Sequence, residues 1–108
     1  SVISLDYAPF KIDVKDLILK TFFELGYTEQ LLDSVDSFRH FISKNKSISG
    51  VAAKRQLGMI NAIKHLAYIK TGSGKMRIDD LHTELNRTEL AFYDRLWLEE
   101  KIAELEGK

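Results

Sequence analysis

The chain has 108 residues, 44% of them hydrophobic and 30% charged, with 16 basic and 16 acidic side chains and no cysteine. That length suits one domain with a core of moderate size; the composition lies away from the disorder-prone corner, and the missing cysteine excludes disulfides, thiolate metal ligands and a cysteine nucleophile. No apolar run approaches the ~20 residues of a membrane span, and no basic stretch leads into an apolar core of the signal-peptide kind. One helical domain over 1–108 is therefore expected, with no membrane partner and an intracellular setting, cytoplasmic or nuclear. Ser1, in place of a start methionine, reads as an expression remnant or a domain boundary.

Residues 1–11 mix β-branched and aromatic residues with the only proline, Pro9. Pro9 disfavours helix at Ala8 and can itself begin one, and a short extended N-terminal arm over the core is expected. A first helix should start near Asp13, a competent N-cap, and stop at Gly26. Val14, Leu17, Ile18, Phe22 and Leu25 recur at helical spacing along it and form its predicted buried face.

Thr28 can cap a second helix whose buried stripe is Leu31, Leu32, Val35, Phe38, Phe41 and Ile42. Glu29, Asp33, Asp36 and Arg39 fall outside, so the charge changes sign near the C-terminal end, where cations suit the helix dipole. Residues 44–50, KNKSISG, read as a polar loop with Ser47 or Ser49 as the next cap.

From Arg39 to Arg77 there are nine lysines and arginines and no acid. Residues 1–38 hold three basic and seven acidic side chains, and residues 78–108 hold four and nine. Charge sorted this sharply implies a concentrated positive surface, the footprint of a protein that holds a polyanion. A third helix over about 50–70 would turn Ala52, Met59, Ile60, Ile63, Leu66 and Ala67 inward. Lys54, Gly58, Asn61 and His65 would share the other side, with Lys64 and Tyr68 at its margin. Such a stripe offers cations for phosphates, an amide for base edges, an aromatic ring for stacking and a glycine for close approach. An ordinary solvated helix face accounts for the same residues; the absence of acids across the wider segment favours the binding surface.

Residues 71–77, TGSGKMR, form a small basic loop. TGSGK looks like a fragment of a phosphate-binding P-loop but departs from the pattern at Ile69 and Met76, and no βαβ sequence surrounds it. Phosphate contact through Lys75 and Arg77 needs only their charges. A rival arrangement breaks the central helix at Gly58 and folds YIKT–GSG–KMRI into a basic β-hairpin. Both arrangements leave the same cations on the surface.

Asp79 and Asp80 suit the start of a short helix carrying Ile78, Leu81 and Leu85. Asn86 or Thr88 can cap a last helix with Leu90, Phe92, Tyr93, Leu96, Trp97, Ile102 and Leu105 apolar and Glu89, Asp94, Glu99, Glu100 and Glu104 outside. Residues 77–96 also fit a helix-turn-helix with a tight turn at Asn86–Arg87. Its second helix would present Glu89 and Asp94 with only Arg95 as a cation, a poor match to phosphate-lined grooves.

His40, His65 and His82 show no metal-ligand spacing, the serines form no nucleophile-elbow pattern, and Asp79–Asp80 and Glu99–Glu100 are neighbours that point apart on a helix. No reaction or cofactor is implied, and the chain reads as a non-enzyme. The expectation is an all-α, compact bundle of four to five helices, serving as an accessory domain that binds DNA or RNA mainly through the phosphate backbone. Lys54, Arg55, Lys64, Lys70, Lys75 and Arg77 would make the contacts, Lys44 and Lys46 would extend the path, and Asn61, His65 and Tyr68 would supply stacking or limited base readout. The alternative is a protein-interaction or self-association module using the basic middle and the apolar face of the C-terminal helix, from Trp97 to Leu105.

Overall fold

A computed structural model describes residues 8–107. They form five helices: α1 (Ala8–Leu25), α2 (Thr28–Lys44), α3 (Gly50–Thr71), α4 (Ile78–Asn86) and α5 (Phe92–Leu105). No strand occurs among the described residues. The protein is all-α, and the alternative hairpin at residues 68–78 is replaced by the end of α3, a glycine turn and the start of α4. No helix among the described residues is long and apolar enough to cross a membrane. The chain divides into two compact units, Ser1–Ala53 and Lys54–Lys108.

In the first unit, the expected N-terminal arm falls partly on residues 1–7, which lie outside the described residues. Over residues 8–11 the expectation is corrected, because α1 begins at Ala8, well before Asp13. Pro9 sits in its first turn, where a missing N–H costs no helical hydrogen bond. The far end of α1 closes through Gly26, whose φ of 75° is open to glycine at little cost. Tyr27 N–H donates to the Phe22 carbonyl at 2.9 Å and Gly26 N–H to that of Phe23 at 3.1 Å. Phe22 and Tyr27 meet with ring centroids 6.3 Å apart. Both bonds and the ring contact belong to the glycine-terminated C-cap, in which the last carbonyls are satisfied and an apolar pair seals the turn.

The inward face of α1 is not the expected one. Ala8, Asp16, Leu19 and Phe23 are buried, whereas Val14, Leu17, Ile18 and Leu25 are exposed. Asp16 pairs with Lys20 at 2.8 Å, one helical turn on. In α2 four of the six expected positions, Leu31, Val35, Phe38 and Ile42, are buried, Leu32 and Phe41 are half-buried, and α2 packs on α1 as a helical hairpin. Tyr27, not Thr28, holds its N-cap position. Ser49 caps α3, its Oγ accepting the Ala52 N–H at 3.1 Å.

The second unit is built on α3, which runs unbroken through Gly58. Met59, Ile60, Ile63, Leu66 and Ala67 are buried as predicted, joined by Gln56 and Ala62; Ala52, expected inside, is exposed. A Cβ built on Gly58 would lie 2.5 Å from Thr88 Cγ2 and 3.0 Å from the Glu89 carbonyl oxygen. The glycine thus lets the 88–90 turn approach the helix backbone. From α4, Leu81 and Leu85 enter the core.

The last helix starts at Phe92 with Ala91 as N-cap, later than either Asn86 or Thr88 would place it. The tight helix-turn-helix connection at Asn86–Arg87 is therefore not formed; residues 87–91 separate α4 from α5. Arg95 explains how this longer turn is held. Its guanidinium donates to the Leu85 carbonyl at 3.1 Å and to that of Thr88 at 2.8 Å, a cation at the carbonyl end of α4. Asp94, expected outside, is 1% exposed. Asp94, Leu98, Lys101 and Ile102 make the buried face, and Phe92, Tyr93 and Leu96 are exposed. Lys101 reaches Glu104 at 3.1 Å and lies 5.7 Å from the Trp97 ring centroid.

Candidate nucleic-acid interface

Lys44 and Lys46, at the end of α2 and in the turn after it, are exposed on the first unit. The other nine candidate residues belong to the second. Lys54, Arg55, Asn61, Lys70, Lys75 and Arg77 are exposed there, and Lys64, His65 and Tyr68 are half-buried. At ~100° per residue, Lys54, Asn61, His65 and Tyr68 fall within a ~60° stripe of α3, with Lys64 ~80° to one side and Arg55 ~100° to the other. The ~1.5 Å rise per residue separates Lys54 from Lys70 by ~24 Å along the axis. The cations therefore fall into a pair near the start of the helix (Lys54, Arg55), a lateral one (Lys64), and a group at its end (Lys70, Lys75, Arg77).

Gly58, His65 and Tyr68, in the expected stripe, meet other parts of the chain. Gly58 does not offer its backbone to a ligand, since the 88–90 turn covers it. His65 Nδ1 lies 2.6 Å from the Glu84 carboxylate, which sets a negative charge beside the stripe. Tyr68 is overlaid by the glycine turn: a Cβ on Gly74 would be 3.7 Å from Tyr68 Cβ. Its ring is consequently only partly available for stacking.

The TGSGK segment has a local structural explanation. Gly72, with φ of 72°, follows the last residue of α3, and its N–H donates to the Ile69 carbonyl at 3.2 Å while Ser73 N–H donates to that of Tyr68 at 2.8 Å. Thr71 Oγ1 donates to the Ala67 carbonyl at 3.0 Å. These bonds terminate a helix, whereas a P-loop precedes one and wraps phosphates with N–H groups at the positive end of the dipole. The next N-terminus, that of α4, already carries Asp79 and Asp80, and the Asp80 carboxylate accepts the Arg77 N–H at 2.9 Å. Arg77 lines an open depression with Ile78, Asp79 and Glu106. Two carboxylates thus compete there with any phosphate for its charge.

His82 Nε2 approaches Glu106 at 3.3 Å. Among the described residues, no three histidine, aspartate or glutamate side chains gather as a metal site would require. Exposure of the apolar stripe of α1, and of Phe92, Tyr93 and Leu96 on α5 where the partner face was expected from Trp97 to Leu105, differs from expectation. Both helices carry a second apolar stripe, and spacing alone does not say which of the two is turned inward.

No protein-family model matches the chain, and no curated protein or solved structure resembles it closely enough to count as a match. The protein is all-α, and seven of its nine cations between Arg39 and Arg77 are exposed.

Proposed function

We propose that the chain is a non-enzymatic accessory domain that holds DNA or RNA by its phosphate backbone, inside the cell as part of a larger nucleic-acid machine. One observation carries this function. The segment from Arg39 to Arg77 contains no acid, and Lys44, Lys46, Lys54, Arg55, Lys70, Lys75 and Arg77 on it are all exposed. Exposed lysines and arginines bind phosphates by displacing condensed counterions, a contribution that ignores base sequence. Asn61 is the candidate for base contact, and Tyr68 for partial stacking; His65 joins only by exchanging its Glu84 partner.

The experiment is a fluorescence-anisotropy titration of labelled single- and double-stranded DNA and RNA at two salt concentrations. The native chain is compared with Lys54→Glu/Arg55→Glu/Lys64→Glu. Binding that weakens steeply with salt, and a slope of log K against log[salt] shallower by about 3 in the variant, are expected for three lost phosphate contacts on duplex DNA. No binding by the native chain at low salt removes this function.

A second function, protein interaction, is favoured by one specific observation. Phe92, Tyr93 and Leu96 are exposed on α5. The apolar surface available to a partner is therefore this first half of the helix; of the expected face from Trp97 to Leu105, Leu98 and Ile102 are buried. Binding there would be insensitive to salt and to the charge reversal above.

A further inference from the structure

The outer face of α1 is apolar and exposed. Phe10, Val14, Leu17, Ile18, Thr21 and Leu25 fall within ~100° of one another on the helix, a stripe ~22 Å long with no charge in it. Leu17 is 63% exposed and Leu25 56%, while Asp16 on the opposite side is 4% exposed. A helix that buries an aspartate and turns two of its three leucines, Leu17 and Leu25, outward departs from the ordinary hydrophobic rule, and such departures are expected at functional surfaces. Beside the stripe, Phe41 of α2 joins Phe10, Val14 and Ile18 around a depression of about 310 Å³ flanked by Lys11 and Lys15. The Lys15 ammonium stands 5.0 Å from the Phe41 ring centroid.

We propose that this face joins two copies of the chain, α1 against α1 and antiparallel, about a two-fold axis between Leu17 and Ile18. The stripe is symmetric about that point. Phe10 comes level with Leu25 and Val14 with Thr21, while Leu17 meets Leu17 and Ile18 meets Ile18 of the second copy across the axis, as an isologous interface requires. Antiparallel order also sets the helix dipoles in opposition. Under the same axis Lys11 falls beside Phe22 and Leu25 of the second copy, not beside another lysine. The exposed apolar side chains amount to roughly 500 Å² per copy, so that with a polar rim the pair exceeds the ~1,000 Å² total at which specific interfaces begin. Nucleic-acid binding is not needed for this association and does not bear on it.

The test is sedimentation of the native chain up to ~100 µM, above the micromolar Kd of a weak interface of standard size. Twice the chain mass is expected, and Leu17→Glu/Ile18→Glu, with unchanged helical circular dichroism, should weaken association at least ~10-fold, since it buries charge in the seam. A native chain that stays at single mass, or a dimer indifferent to that substitution, overturns the proposal. Should the double variant fail to fold, cysteine pairing decides, because the chain has no cysteine of its own. Phe10→Cys mixed with Leu25→Cys should oxidise to a linked heterodimer, while Phe10→Cys alone should not. Linking by Phe10→Cys alone, or no linking in the mixture, overturns the antiparallel register.

Discussion

Glu84 of α4 holds the His65 ring of α3 at 2.6 Å, beside the helix stripe that carries Lys54 and Asn61. Both side chains are partly covered, at 30% and 22% exposure. Glu84→Gln keeps a hydrogen-bonding partner and removes the charge. The expected outcome is a stability loss of no more than about 1 kcal/mol by thermal or urea unfolding. Affinity for a nucleic acid should rise by about threefold at low salt, as one nearby repulsion is removed. Unchanged affinity would mean that the phosphate path avoids His65.

Gly58→Ala should destabilise the protein even though alanine is the better helix former by ~1 kcal/mol. Its methyl would meet Thr88 Cγ2 at 2.5 Å and the Glu89 carbonyl oxygen at 3.0 Å. Thr88 has little freedom to turn away, because its hydroxyl donates to the Glu84 carbonyl at 2.6 Å. A net loss of about 1–3 kcal/mol is expected from denaturant unfolding, the usual cost of overpacking. Adding Thr88→Ser should recover part of it, and a double-mutant cycle with no coupling would place the clash elsewhere.

Arg95→Lys tests whether the guanidinium fork is what closes the turn between α4 and α5. Arginine reaches two carbonyls, of Leu85 and Thr88, from one planar group. Lysine keeps the charge and loses that geometry. A loss of about 1–2 kcal/mol is expected, in the range of hydrogen bonds to charged groups, with nucleic-acid affinity unaltered. A matching fall in affinity without loss of stability would instead make Arg95 a phosphate contact.

Gly72→Ala should cost about 1 kcal/mol, because φ of 72° is strained for any residue with a Cβ. Gly74 is a different case: it combines φ of 76° with contact to Tyr68, so Gly74→Ala should also shift tyrosine fluorescence. A loss of stability at Gly72 without any effect of nucleotides on the melting temperature is what a helix cap, as opposed to a phosphate cradle, predicts.

Much of the fold was legible in the residues. Leu31, Val35, Phe38 and Ile42 lie on one stripe with acids on the other, and α2 buries that stripe. Met59, Ile60, Ile63 and Leu66 do the same for α3, and Gly26 and Ser49 mark a stop and a start by local chemistry, a positive φ at Gly26 and a capping hydroxyl at Ser49. The faces of α1 and α5 were not legible. Alongside Val14, Leu17 and Ile18, α1 also carries Leu19 and Phe23 on the opposite side, and α5 sets Phe92 and Leu96 against Leu98 and Ile102. Two apolar stripes on one helix give spacing no means of choosing between them.

The candidate site divides in the same way. The order of residues alone determined that cations crowd the segment from Arg39 to Arg77, since charge is counted residue by residue and needs no partner. Tertiary structure alone decided which neighbours share that surface: Glu84 beside His65, the 88–90 turn over Gly58, Asp79 and Glu106 around Arg77. Helix type follows from local backbone preference and spacing along the chain. Which face is covered depends on residues distant in sequence, and that choice is made only when the elements pack.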